Sequence, residues 1–142
     1  MLSPLEQAVD EALTKTISRL VDLGADTARA SYDSLQSRYD FLDTVRVTKQ
    51  KDRRTGRITM SSRDILFQEF GAGIGAIHPR GHEFGYIEDS WSVNHAQMFH
   101  NYGYWYHGKQ KLTGIPAACG WYNAYKEISN NAGKIFKEEF KW

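Results

Sequence analysis

The sequence predicts a single α+β domain, in which helices at both ends of the chain flank a small antiparallel sheet. Three observations predict this fold. Apolar residues recur at helical spacing before residue 38, they alternate at strand spacing after residue 44, and helical spacing returns after residue 117. A chain of 142 residues has the size of one domain, so we expect residues 1–142 to fold as one unit.

The N-terminal region, residues 4–38, is expected to be helical. The sequence S-P-L-E at residues 3–6 has the pattern of a capping box with proline in the first helical position. Apolar residues then follow at every third or fourth position, and Gly24 stands where a helix would end. The prediction is therefore two helices, over residues 4–23 and over about residues 26–38.

Residues 44–70 are expected to form a small antiparallel sheet. Apolar and polar residues alternate in T-V-R-V-T-K-Q and again in R-I-T-M-S, which predicts a hairpin with a basic turn. The more continuous apolar run D-I-L-F-Q-E-F predicts a third strand over residues 64–70, covered on both faces.

Residues 71–116 are rich in glycine and aromatic side chains and show no clear period, so we expect a long aromatic loop. One or two short strands are expected around G-Y-W-Y-H-G. A loop of this length inside a compact domain is usually functional. From about residue 117 to residue 140, apolar residues again fall on one helical face and lysines and glutamates on the other, which predicts an amphipathic C-terminal helix.

The composition limits the classes of partner. A formal net charge of +1 gives no bulk attraction to DNA or to membranes. No membrane partner is expected, since there is no run of about 20 apolar residues and the first residues lack the basic start of a signal peptide. The single cysteine, Cys119, leaves no intramolecular disulfide framework and fits a reducing compartment such as the cytosol.

The glycine-rich stretch G-A-G-I-G-A at residues 71–76 matches a relaxed dinucleotide-binding pattern. Such a pattern binds phosphate through the N-terminus of the helix that follows it. Here Pro79 and Gly81 follow instead, and they prevent a helix at that place. We therefore expect no nucleotide cofactor.

Other reactive residues form no convincing site. His78 and His82, with Glu83, suggest a metal pair, but ligands four residues apart face together only on a helix, which this segment is not expected to be. Cys119 with a histidine could act as nucleophile and base, although a small buried residue explains its small-residue surroundings equally well. No catalytic residue, metal or cofactor is expected, and the chain is not expected to be an enzyme; the cysteine enzyme stays as an alternative.

The strongest charge feature is a basic group between residues 49 and 63. It contains Lys49, Lys51, Arg53, Arg54, Arg57 and Arg63. Lys49, Lys51, Arg53 and Arg54 at the hairpin tip could contact DNA phosphates or an acidic neighbouring subunit, or they could form a solvated turn.

Three stretches of the chain match, in the same order, the sequence pattern of a known family. Residues 65–73, I-L-F-Q-E-F-G-A-G, match an apolar phrase ending in Glu-Phe-Gly-Thr-Gly, with Ala72 in place of threonine. An aromatic, glycine-rich G-Y-W-Y-H-G-K-Q-K-L-T-G follows, and the chain closes with G-I-P-A-A-C-G-W-Y-N and a helix containing K-E-E-F. In this order they resemble the tail-completion or neck proteins of long-tailed bacteriophages, a family of head–tail connector and minor tail components. Residues 118–121, A-C-G-W, depart from the proline-aromatic pair common in that family.

The resemblance implies a structural α+β virion protein without enzymatic chemistry. It implies a ring, with a hexamer favoured, assembled in the host cytoplasm. The ring's implied partners are neighbouring neck, stopper and adaptor proteins and the tail tube or terminator, and packaged DNA passes through such rings or sits above them. Alternatives are a tail terminator or other head–tail joining protein, and a small DNA-binding module. Residues assigned to subunit or partner contacts are Glu69, Phe70, Gly71, Gly73, Trp91, Tyr104 and Trp105.

Overall fold

The computed structural model describes residues 1–73, 78–80, 105–107, 110–112 and 114–142. These residues form the α+β fold that the sequence predicts. The elements, in chain order, are α1 (Pro4–Arg38), β1 (Arg46–Lys51), β2 (Gly56–Ser61), α2 (Ile65–Phe70), β3 (Ala72–Gly73), β4 (Trp105–His107), β5 (Gln110–Leu112), β6 (Gly114–Ile115) and α3 (Gly120–Glu139).

The N-terminal region is one continuous helix of 35 residues, α1, about 52 Å long. The predicted capping box is present, because Ser3 Oγ accepts a hydrogen bond from the Glu6 amide at 3.2 Å and the Glu6 carboxylate accepts one from the Ser3 amide at 2.7 Å. The outer bounds of the prediction are confirmed, whereas the predicted break at residues 24–25 is wrong.

Gly24 has a packing role inside α1 and does not end a helix. A Cβ atom at this position would lie 2.5 Å from Cδ1 of Ile58 and 2.7 Å from Cδ1 of Ile128. Glycine therefore lets β2 and α3 approach the α1 backbone closely. This close approach outweighs the cost of about 1 kcal/mol that glycine imposes in a helix interior.

Strands β1 and β2 form the predicted antiparallel hairpin, with Val47 opposite Met60 and Lys49 opposite Ile58. These four residues share the side of the hairpin that faces the helices, where Val47 is buried. The other side is exposed and polar, and it carries Arg46, Thr48, Gln50, Arg57, Thr59 and Ser61.

Residues 65–70 form a helix, α2, so the predicted third strand is wrong. Gln68 and Glu69 are both buried. Adjacent strand residues would point to opposite faces, whereas adjacent helical residues both reach the interior. The helix ends at Gly71, whose φ of 75° favours glycine.

The core lies between α1 and α3, which share the most extensive interface among the described elements. The two helices are antiparallel, since Gly120 at the start of α3 lies against Tyr32 and Glu138 at its end contacts Arg19. The predicted C-terminal helix is confirmed, with bounds Gly120–Glu139. Buried side chains of the main cluster are Ala25, Ala28, Tyr32, Val47 and Ala124.

Four short strands lie within the predicted aromatic loop. β4 and β5 pair antiparallel, which confirms the strands expected around G-Y-W-Y-H-G. β3 pairs with β6 and so joins the two ends of the loop. Gly71, residues 78–80 and Pro116 of the predicted loop are also described, and its other residues lie outside the described ranges. In the described part of the chain, no helix has both the length and the apolar character needed to cross a membrane.

Candidate functional site

A buried carboxylate, Glu69, lies where the end of α2 meets the start of α3. It is 4% exposed. Its Oε1 lies 2.5 Å from the Tyr32 hydroxyl and 2.7 Å from the amide nitrogen of Trp121. Its Oε2 lies 2.6 Å from Nε2 of His78 and 3.3 Å from the amide nitrogen of Tyr122. Four donors thus fill the four acceptor positions of one carboxylate.

The hydrogen bonds define the protonation states around Glu69. The Arg80 amide donates to Nδ1 of His78 at 3.0 Å, so Nε2 carries the imidazole proton and donates to Glu69. Burial, followed by the hydrogen bond to Glu69, raises the pKa of Tyr32, so the phenol stays protonated and donates as well. One negative charge is therefore held by neutral donors.

Glu69 serves as the cap of α3 although it belongs to another element. The residue at the N-cap position, Cys119, has a left-handed conformation with φ 57°, and its own side chain makes no capping hydrogen bond. The first amides of a helix need acceptors, and Glu69 accepts from two of them, those of Trp121 and Tyr122. The positive end of the α3 dipole also favours a carboxylate at this place.

Backbone hydrogen bonds join the same two segments. The Ala118 amide donates to the Gln68 carbonyl at 2.8 Å, and the Cys119 amide donates to the Glu69 carbonyl at 3.3 Å. We call the assembly of Tyr32, Glu69, His78 and the first turn of α3 the Glu69 clasp. It connects residues 65–73 to residues 114–140, which are two of the three stretches that carry the resemblance.

Gly120 allows the clasp to close. A Cβ atom at this position would overlap ring carbons of Tyr32. The Tyr32 ring is fully buried and its hydroxyl is bonded to Glu69, so moving the ring aside would break that hydrogen bond.

Gln68, beside the clasp, anchors α2 to the C-terminal end of α1. It is fully buried. Its side-chain amide donates to the Asp43 carbonyl at 2.7 Å and to Oδ1 of Asp64 at 2.6 Å, and its carbonyl accepts from Gln36 at 3.0 Å. The buried polar residues of α2 are thus satisfied, as burial requires.

At the tip of the basic hairpin, two arginines bind one carboxylate of α1. Arg54 Nη2 lies 2.8 Å from Oδ1 of Asp10, and Arg53 binds Oδ2 of the same residue. These hydrogen bonds, that of Arg54 first, lower the pKa of Asp10. The arginine side chains are themselves largely exposed, at 73% for Arg53 and 66% for Arg54.

The two lysines of the hairpin also bind α1. Lys49 and Lys51 each place their ammonium group 2.9 Å from Oδ1 of Asp22. Hydrogen bonds from Lys51 and then Lys49 lower the pKa of Asp22. The four basic residues assigned to DNA or to an acidic partner therefore all have a carboxylate partner within the chain.

The residues assigned to subunit contacts lie in different environments. Phe70 and Gly71 are buried beside Glu69, and the structure gives these three a role inside the chain. Gly73 lies in β3 and Trp105 in β4, while Trp91 and Tyr104 lie outside the described residues.

Cys119 and His78, which were considered for catalysis and metal binding, are in states that do not suit those roles. Burial, followed by the charge of Glu69, raises the pKa of Cys119 to about 11, so its thiol is protonated at neutral pH. His78 donates to Glu69, and His82 and Glu83 lie outside the described residues. Across the described ranges, no group of three or more histidine, cysteine or acidic side chains is arranged to hold a metal ion.

Sequence reasoning missed the clasp. Two signals could have indicated it: an acidic residue inside the apolar run I-L-F-Q-E-F, and a helix preceded by A-A-C-G, without a residue that caps well. A helix that lacks a local cap needs an acceptor from elsewhere, and Glu69 is that acceptor.

Comparisons of the chain with protein-family models, with curated proteins and with solved structures gave no match.

Proposed function

We propose that this chain is a structural virion protein, a neck or tail-completion subunit that assembles into a ring and joins a phage tail to the head connector. The observation that carries the proposal is the Glu69 clasp. The Glu-Phe-Gly phrase and the segment before the last helix, which are far apart in sequence, are bonded to each other through Glu69. Two of the three stretches that produce the resemblance therefore depend on one another for their structure.

The chemistry of the described polar residues supports a structural role over an enzymatic one. The acceptor positions of Glu69 are filled by groups of the chain itself, which leaves the carboxylate without a position for substrate. Cys119 is protonated at neutral pH, and the thiolate is the form that attacks substrates.

The ion pairs of the hairpin fit an assembly role better than nucleic-acid binding. Its lysines and arginines pair with Asp10 and Asp22 of α1, so these carboxylates compete with DNA phosphates for the same donors. A contact with packaged DNA in the ring lumen is a secondary part of the proposal. A tail terminator or other joining protein would use the same fold, and position in the particle distinguishes it.

The test is to locate the chain in phage particles. Particles produced by the phage or prophage that encodes it are purified, and the head–tail junction is imaged by electron cryo-microscopy. We expect a stoichiometric ring of this chain at the junction. We also expect deletion of the gene to leave heads and tails unjoined, and the wild-type gene in trans to restore joining. Absence from purified particles, or normal joining after deletion, would overturn the proposal.

A further inference from the structure

The free edge of β2 borders an open groove. Among the described residues the hairpin is a two-stranded sheet, so one edge of β2 has no neighbouring strand. A cavity of about 620 Å³ is lined by the consecutive residues 57–60 of β2. Since successive strand residues point to opposite faces, a cavity that touches all four runs along the strand edge.

The opposite wall of this edge groove is mostly apolar. Ile65, Leu66 and Phe70 of α2 and Trp121 of α3 form most of it, and Tyr32 and Glu69 of the clasp line it as well. Leu66 is 52% exposed there. A second cavity of about 310 Å³ shares Ile58, Met60 and Trp121 with the first and continues between α1 and α3.

We propose that the free edge of β2 binds an extended segment of another protein, which adds to the hairpin as a third strand. An unpaired strand edge presents backbone donors and acceptors that an extended peptide satisfies. Four residues of β2 offer about 13 Å of edge, and the cavity volume lies within the usual 300–1,000 Å³ of binding pockets.

The groove specifies the chemistry of the bound strand. On the side of Ile58 and Met60, every second side chain of the added strand would meet apolar walls and the second cavity. On the other side it would meet Arg57, on a hairpin face that also carries Arg46 and has no acidic residue in either strand. The bound segment therefore alternates apolar and polar residues, with an acidic side chain placed to meet Arg57.

This chemistry favours another protein over the hairpin of a second copy of this chain. β1 carries Arg46, Lys49 and Lys51, β2 carries Arg57, and neither strand has an acidic residue, so either strand of a second copy would offer no acid to Arg57. The proposal stands on the groove alone and does not depend on the chain being a virion protein.

A displayed library of random twelve-residue peptides, selected against the purified full chain, tests the proposal. We expect enriched peptides to alternate apolar and polar residues and to carry an acid at a fixed position. Leu66→Glu should weaken their binding at least tenfold, while the matched Leu5→Glu, at a leucine 48% exposed on α1, should leave it unchanged. Selection against Arg57→Glu should replace the preferred acid with lysine or arginine.

Backbone methylation separates a bound strand from a bound helix. An enriched peptide is synthesised with N-methyl groups at every second residue, in each of the two registers. An added strand pairs along one edge, so one register should abolish binding and the other should preserve it. Loss of binding in both registers, or enrichment of residues at helical spacing, would overturn strand addition. Failure to enrich any peptide over Leu66→Glu, or self-association of the chain through the groove, would overturn it as well.

Discussion

The Glu69 clasp and the tip of the basic hairpin both gather several donors around one carboxylate, but they differ in the exposure of those donors. Around Glu69, the Tyr32 and His78 side chains are buried with the carboxylate. Around Asp10, the two arginines are 73% and 66% exposed. Water can replace the arginines at Asp10, whereas the interior offers no replacement for the donors of Glu69. Similar hydrogen-bond geometry around a carboxylate therefore stabilises the fold much more when the donors are buried than when they are exposed.

The largest effect is expected for Glu69→Gln. The substituted amide keeps the shape but turns two hydrogens toward groups that are themselves donors, so unfolding should need about 3 kcal/mol less free energy. For a domain of this size the melting temperature should fall by roughly 10 °C. Urea and thermal denaturation followed by circular dichroism measure this, with Glu11→Gln on the exposed surface of α1 as the control. A loss below about 1 kcal/mol would mean that the clasp is not a major source of stability.

The second prediction compares glycine-to-alanine substitutions at two positions in α3. Gly120→Ala should destabilise the fold by about 2 kcal/mol, because the added methyl group overlaps the Tyr32 ring. Gly133→Ala, where no atom lies within 4 Å of the added methyl group, should stabilise it by about 0.5–1 kcal/mol through helix propensity. Opposite signs in urea denaturation are the expected result, and equal signs would contradict the packing of Tyr32 on Gly120.

A smaller effect is expected for Tyr32→Phe. It removes one of the four donors to Glu69 and keeps the ring against Gly120, so a loss of about 1–2 kcal/mol is expected. The double variant with Glu69→Gln should lose less than the sum of the two single losses, since both act on one hydrogen bond. Strict additivity in the double-mutant cycle would show that the two residues are not coupled.

The smallest effect is expected at the hairpin, for Asp10→Asn. The lowered pKa of Asp10 means that its contribution is present above the usual value of 3.8 and is lost as the pH falls through the lowered folded value. The difference in urea midpoint between wild type and variant should therefore shrink below pH 3.8. It should also shrink in 0.5 M NaCl, since the arginines that bind Asp10 are exposed and their charges are screened by salt. For Glu69→Gln, the difference should persist in salt, and equal salt sensitivity of the two variants would contradict the contrast.

The sequence correctly predicts the elements whose residue patterns lie within one continuous segment. The capping box at residues 3–6, the alternation of the hairpin and the helical face after residue 117 each specify one structure within a single segment. Their positions in the fold match the predictions to within about three residues.

The sequence misleads where distant contacts decide. Residues 65–70 are a short apolar run, which by periodicity fits a strand or a helix equally well. The helix forms because Gln68 and Glu69 both find partners inside. Gly24 resembles a helix end in sequence, yet Ile58 and Ile128 occupy the space where its side chain would be. Likewise, Glu69 caps a helix that begins about fifty residues later, and no pattern in the neighbouring sequence indicates a capping residue so far away.

The pairing of β3 with β6 affects how far the sequence between these two strands can vary. Residues 73 and 114 face each other across this pair, and the clasp holds the adjoining segments together. The closure is therefore set by the β3–β6 pair and by the clasp, to which His78 belongs. Inserting a flexible segment after residue 81, beyond His78 and Arg80, should cost little, since doubling the length of a flexible loop adds only about 0.6 kcal/mol of closure entropy. The fold can thus carry different sequences between residues 81 and 113 while its helices and hairpin stay the same.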